Sequence, residues 1–255
     1  MSFQNIAIIG EKSRTKELRE KFERNDQIQK ITEVTYENLA LTDLKAYDLV
    51  VDTYEHENVI ERLKIIESTI SNSTILAAYA VNLSTSEILQ HLDNPSSFVG
   101  LHFFRLGNQT NLVEIVQPEN GTHDELQSTV SAFLEKAQFV TVIVKDRPGL
   151  LAHRLLVPYL NQAAQVFDDQ IATGIDIDNS VKLGLGYPIG PLQLLDDMGI
   201  DQYLPKAQAI YNEIPETKYA VPPILRRMKS VNIIGRKTGK GFYKYEENKQ
   251  YEPQH

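Results

Sequence analysis

His102 and Glu114 are the two side chains whose types and setting point most directly to chemistry. Each stands in an apolar, strand-like run: Phe98, Val99, Leu101, Phe103 and Phe104 around the histidine, Leu112, Val113, Ile115 and Val116 around the glutamate. Gly107 and Asn108 between the runs carry turn chemistry, so the sequence predicts a hairpin-like return that sets Glu114 beside His102. A carboxylate in that place fixes the imidazole tautomer and raises its basicity, which is what a general base requires. A core histidine with a satisfied ring is the plainer use of the same pair.

A second candidate site lies near the start of the chain. Asn5 to Gly10 reads as a buried strand, and Leu18 and Phe22 belong to a helix that follows it directly. A dinucleotide loop at such a junction reads G-x-G-x-x-G, because the second glycine lets backbone approach the pyrophosphate and the third lets the helix pack on the strand. Here the stretch is Gly10, Glu11, Lys12, Ser13, Arg14, Thr15. The first glycine is kept, Lys12 and Thr15 replace the other two, and Glu11 places negative charge where a pyrophosphate meets a helix N-terminus. Lys12 and Arg14 offer charge to some other anion. Glu33 or Glu37, at roughly the distance expected of the acid that holds a nicotinamide cofactor's ribose, is a candidate for that role or an ordinary surface glutamate. Far downstream, Gly235 to Tyr243 (GRKTGKGFY) has the glycines and lysines of a phosphate loop, but no glycine–lysine–serine/threonine triplet closes it before a helix, so it reads as a tight basic turn.

Composition narrows the function classes. With 255 residues, 42% hydrophobic and 24% charged, the chain has material for one large domain or two smaller ones. A net charge of −8 speaks against nucleic acid as the main partner, since a phosphate backbone calls for a basic face. Having no cysteine, the chain forms no disulfide, thiolate metal site or cysteine nucleophile, which fits a reducing cytoplasm. The opening MSFQNIAIIG lacks a basic leader and no apolar run reaches membrane-spanning length, so the expected location is cytoplasmic with no membrane partner.

The elements that must position these residues alternate. Strands are expected at Asn5–Gly10, Ile31–Tyr36, Leu49–Asp52, Ile75–Tyr79 and Phe139–Val144. Helices follow from Val59, Ile60, Leu63, Ile66 and Ile70, from a capping box of Ser84 with Glu87 running on through Ile88 and Leu92, and over Asp124 to Ala137. That rhythm predicts an α/β fold with a doubly wound parallel sheet over residues 1–145. Asp146-Arg147-Pro148-Gly149 breaks the chain, and residues 146–255 read as a helical domain, with a long helix from Leu150 to Phe167 and a shorter one from Asp176 to Leu183. Its abundance of apolar periodicity suggests burial against a second copy, hence a homodimer through the helix from Leu150 and the segment around Tyr187 to Leu195.

In DRPGLLAHRLLVPYL (146–160), KLGLGYPIGPLQLLDDMG (182–199), GRKTGKGFYKY (235–245) and the strands over 99–115, the chain resembles the L-3-hydroxyacyl-CoA dehydrogenase family, which includes 3-hydroxybutyryl-CoA dehydrogenases. The resemblance covers essentially the whole chain. It implies a Rossmann-like NAD-binding-type domain followed by an all-helical dimerisation domain, NAD as cofactor, and oxidation of a 3-hydroxyacyl-CoA to the 3-ketoacyl-CoA in fatty-acid metabolism.

Carried over, His102 falls on the family's general base and Glu114 on the residue that orients it. Val81 stands at the position of the serine that holds the substrate oxygen, and His153 at that of the asparagine. Arg105 replaces a further asparagine, and the segment between the second and third strands is too short for the arm that contacts coenzyme A. An isopropyl group cannot bond a hydroxyl or a developing ketone. In the family's geometry His153 lies close to His102, giving a coupled histidine pair. Glu114 sits behind His102 there, so too few ligands remain for a metal. Two functional expectations follow: a divergent member impaired in the reaction, acting as a binding or dimeric subunit protein, or an active NAD-dependent dehydrogenase using His102 and Glu114.

Overall fold

Asn5–Ile9 (β1), Leu49–Asp52 (β3) and Ile75–Tyr79 (β4) are short apolar runs with almost every side chain buried, the signature of parallel strands covered on both faces. In the computed structural model, which describes residues 3–54, 58–79, 84–106, 109–119, 124–245 and 252–253, they form the centre of a seven-stranded sheet. Lys30–Val34 (β2), Phe98–Leu106 (β5), Gln109–Gln117 (β6) and Val140–Lys145 (β7) complete it in the order β2-β1-β3-β4-β5-β6-β7. β2, β1, β3, β4 and β5 pair in parallel, and so do β6 and β7. β6 follows β5 after two residues and lies beside it, so it runs back along its neighbour and the last two strands oppose the first five. The sheet is therefore mostly parallel, with a reversal at the hairpin the sequence predicts. The turn residues Gly107 and Asn108 themselves lie outside the described residues.

Alternation along the strands divides the sheet's apolar side chains between two layers. Ala7, Ile9, Val50, Leu76 and Ala78 pack with Leu63 and Ile66 of Val59–Thr69 (α3, following the short α2 at Tyr36–Leu39). Ile6, Ile8, Leu49, Val51 and Ile115 pack on the other face with Leu18 and Phe22 of Lys12–Phe22 (α1), and with Val130, Phe133 and Leu134 of Asp124–Lys136 (α5). Thr85–Leu89 (α4) is shorter than its capping box suggests. Ser84 Oγ does accept from the Glu87 N–H at 3.3 Å. The stronger cap is Asp146, whose carboxylate accepts from the Thr85 and Ser86 N–H groups and from Ser84 Oγ.

The chain divides into two compact units at Leu150/Leu151. The second holds Ala152–Asp168 (α6), Gly174–Leu185 (α7), Pro191–Met198 (α8), Ile200–Glu213 (α9) and Pro223–Ser230 (α10) around Val157, Leu160, Ile177, Leu192, Leu195, Tyr203 and Leu225. Two buried aspartates organise it. Asp178 accepts from the Leu192 and Gln193 N–H groups, capping α8, and from Tyr243 Oη. Asp196 accepts from the Phe242 and Tyr243 N–H groups and from Tyr245 Oη. The glycines of the two motifs make room for them: a Cβ on Gly190 would fall 2.2 Å from Asp178 Cγ, and one on Gly241 2.0 Å from Asp196 Oδ1. The GRKTGKGFY stretch is thus a turn folded onto Asp196, preceding the two-residue strand Tyr243–Lys244 (β8) rather than a helix. Among the described residues no helix is long and apolar enough to cross a membrane.

Candidate active site

β5 and β6 set His102 and Glu114 side by side, as the apolar runs and the intervening turn require. Both side chains are buried, and His102 Nδ1 lies 2.5 Å from Glu114 Oε2. An ionised carboxylate only accepts, so Nδ1 carries the hydrogen and the neutral ring keeps its lone pair on Nε2. Two rings meet the imidazole nearly at right angles: Tyr79, the last residue of β4, with centroids 5.1 Å apart, and Phe104 at 5.8 Å. Tyr79 was not singled out by its residue type. The signal lay in its place, ending the strand that neighbours the histidine strand.

At the carboxyl end of β1, Gly10 is held by its N–H to Val34 O. Thr53, the residue after β3, bonds Ile9 O through both its N–H and its Oγ1. A Cβ on Gly10 would come 2.0 Å from Thr53 Oγ1, so this glycine is needed for packing within the chain itself. Glu11 is the N-cap residue of α1 and makes no side-chain cap; Lys12 is the first helical residue and is exposed. Thr15, at the third glycine position, is buried, and its hydroxyl donates to Glu33 Oε2 at 2.5 Å. Arg19 Nη1 donates to the other oxygen of Glu33 at 3.2 Å. Glu33 is therefore engaged by α1, and the last residue of β2 is the apolar, buried Val34. Arg14 Nη1 donates to Thr53 O at 2.8 Å, with its guanidinium 5.4 Å from the centre of the Tyr79 ring.

Asp52 and Tyr54, at and just after the end of β3, are tied to α3 by a buried ion pair that sequence reading missed. Arg62 Nε donates to Asp52 Oδ2 at 2.7 Å, and Arg62 Nη2 to Tyr54 O. Burial pushes the Asp52 carboxyl up from its ordinary value, opposed by Arg62. Its signal was an acid ending a buried strand with an arginine one helical turn into the next helix.

His153 is buried as the second residue of α6, in the helical unit. Val81 lies outside the described residues, and Arg105 is placed in β5 by its backbone. Among the described residues no three histidine, aspartate or glutamate side chains converge as a metal site.

The fold and this pair define the class first: an α/β unit of the dinucleotide-binding type followed by a helical unit, with a buried histidine–carboxylate pair beside the strand ends. Residues 5–147 match the model of the 3-hydroxyacyl-CoA dehydrogenase NAD binding domain, and residues 149–245 that of the 3-hydroxyacyl-CoA dehydrogenase C-terminal domain. The 3-hydroxybutyryl-CoA dehydrogenase of Clostridioides difficile is 34% identical over 205 residues, 80% of this chain and 73% of that protein. Human mitochondrial hydroxyacyl-coenzyme A dehydrogenase is 34% identical over 206 residues, 78% of this chain and 64% of that one. The crystal structure of Mycobacterium tuberculosis FadB2 shares the fold with a TM-score of 0.85 at 23% identity, covering 96% of this chain and 100% of its own. The chain belongs to the 3-hydroxyacyl-CoA dehydrogenase family, and NAD is its cofactor by family resemblance. The β1–α1 loop does not fit that cofactor well: side chains stand at two of the three positions where the dinucleotide fold uses bare backbone, and the nearest acid on β2 is occupied.

Proposed function

We propose that this chain is a divergent member of its family, impaired in NAD-dependent oxidation of 3-hydroxyacyl-CoA, and that it serves as a dimeric binding or subunit-forming protein. The observation that carries this reading is the bond from Thr15 Oγ1 to Glu33 Oε2. Thr15 puts a buried side chain at the third glycine position of the dinucleotide fingerprint, and its hydroxyl engages Glu33, the acid on β2. Val81 and His153 at the family's serine and asparagine positions support the same reading, because neither reproduces the lost hydrogen bond to a substrate oxygen in kind. In this reading the α/β unit keeps the architecture of a cofactor domain and the helical unit supplies the dimer contact.

The proposed dimer face is supported by exposed apolar side chains on the helical unit: Leu155 at 69% exposure, Leu183 at 84% and Leu185 at 68%, with Tyr187 beside them in sequence. Leu192, Leu194 and Leu195 are buried in the unit's own core instead, so the candidate face lies along α6 and the end of α7 and stops short of the Pro191 helix. Leu155, Leu183 and Leu185 are large apolar side chains that the single chain leaves in water, which is the reason to assign them to contact with a second copy.

The kept pair of His102 and Glu114 favours the second reading, an active dehydrogenase. There, Nε2 of His102 would take the proton of the 3-hydroxyl while Glu114 holds Nδ1–H and stabilises the charge that forms on the ring. Titration with NADH, followed by its fluorescence and by the thermal midpoint of the protein, separates the two. The first reading expects no saturation in the micromolar range, and micromolar binding transfers the assignment to the second.

A further inference from the structure

In sheets of this kind a dinucleotide lies outside the carboxyl ends of the strands, starting at the switch point where the chain leaves β1 and β3 in opposite directions. In the sheet order β1-β3-β4-β5, the residues at those ends are Gly10, Thr53 and Tyr79, with His102 on the next strand. Glu114 occupies the β6 side of His102. A cofactor running along the strand ends from Gly10 therefore reaches the imidazole from the β4 side, past Tyr79.

That approach is taken up by the chain. The Tyr79 ring is buried, 7% exposed, and its centre is 5.1 Å from that of His102 at an interplanar angle of 81°. The guanidinium of Arg14 lies over the tyrosine ring at 5.4 Å, with Nη1 bonded to Thr53 O at 2.8 Å. A cation over a ring face is an attractive arrangement, and here the cation is itself anchored to the strand end beyond. Thr53, Arg14, Tyr79 and His102 thus form a continuous line of contacts from the end of β1 to the base. A hydride acceptor has to come within about 3–3.5 Å of the carbon whose hydroxyl the base deprotonates, which places a flat ring close to the imidazole.

We infer that Tyr79, held by Arg14, stands where the nicotinamide ring would have to lie beside His102, and that this stack excludes the reactive end of the cofactor. The inference rests on the reading that NAD chemistry is impaired and extends it from the β1–α1 loop to two residues that loop does not contain. It also names the change that reopens the crevice: loss of the aromatic ring at Tyr79 or of its guanidinium clamp.

The test is NADH titration of the full chain as wild type and as Tyr79→Ala, Arg14→Ala and Tyr79→Phe, each checked for folding by circular dichroism. The expected result is no saturable binding by wild type or Tyr79→Phe, and saturable binding by Tyr79→Ala and Arg14→Ala with a dissociation constant at least tenfold below the lower bound that the wild-type titration sets. Should Tyr79→Ala not fold, Arg14→Ala carries the test. Arg14 is half-buried, and its loss should also shift the His102 imidazole proton resonances by releasing the tyrosine ring. Absent binding in wild type and both alanine variants overturns this inference and leaves the reading of impaired NAD chemistry standing. Micromolar binding by wild type overturns that reading, and this inference with it, since a ring fixed in that place excludes nicotinamide.

Discussion

Glu114 Oε2 sits 2.5 Å from His102 Nδ1 across two neighbouring strands, with both side chains shut away from solvent. A buried donor stripped of its acceptor costs the desolvation of that group in addition to the bond. Glu114→Ala should accordingly lose about 3 kcal/mol in urea unfolding, from the orphaned ring N–H together with the space left behind. Glu114→Gln keeps an oxygen to accept from Nδ1–H and should lose less than about 1 kcal/mol. Equal losses in the two variants would mean that the charge of Glu114, rather than its hydrogen bond, holds the hairpin.

Thr15 and Lys12 allow a direct test of the cofactor loop. Replacing both by glycine removes the hydroxyl that engages Glu33 and restores bare backbone at the helix start. The double variant should bind NADH roughly tenfold more tightly than wild type, about 1.4 kcal/mol, while its thermal midpoint without ligand falls because glycine weakens α1 by about 1 kcal/mol per position. An unchanged affinity would place the obstruction elsewhere in the crevice.

A dimer through the helical unit makes a third expectation. Leu155→Glu or Leu183→Glu puts a charge on a side chain that is largely exposed in the single chain, so neither should disturb the fold of the monomer by more than about 0.5 kcal/mol. In sedimentation the wild type should run as a dimer at micromolar concentration and both variants as monomers. A monomeric wild type would show that these leucines are not covered by a second copy.

The hairpin of β5 and β6 was legible because its signal is local: two apolar runs, a turn between them, and one polar residue on each run that had to face something. The same holds for β1, β3 and β4, whose unbroken apolar stretches announce burial on both faces. Contacts across the sheet were not legible. Arg14 reaches Thr53 and Tyr79 only because β1, β3 and β4 are neighbours in space, and no spacing in the chain encodes that order. Asp146 caps α4 from some sixty residues away, while the capping box beside it, visible in the sequence, supplies the longer bond. The glycines around Tyr187 and Phe242 were recognisable as motifs, yet their purpose appears only once Asp178 and Asp196 are seen packed against Gly190 and Gly241.

Asp196 leads to a prediction about pH. Burial pushes its carboxyl up to about 6, against the N–H groups of Phe242 and Tyr243 and the Tyr245 hydroxyl, which favour the ionised form; the nearby charge of Asp197 adds to the rise. In the unfolded chain the same group titrates near 3.8. Between these values the folded chain holds a proton that the unfolded chain has released, so this site stabilises the fold fully below about pH 4 and progressively less as pH rises through 6. Asp196→Asn removes the titration and also sets an amide N–H₂ against two backbone donors, so it should be less stable than wild type by about 2 kcal/mol or more at neutral pH. On going from pH 7 to pH 5 the stability of wild type relative to Asp196→Asn should grow, by on the order of 1 kcal/mol. Paired urea melts at the two pH values measure it, and because Asp52 and Asp178 are present in both proteins their own titrations cancel in the difference. A gap that narrows on acidification would mean that the three hydrogen bonds outweigh burial and keep Asp196 ionised in the folded chain.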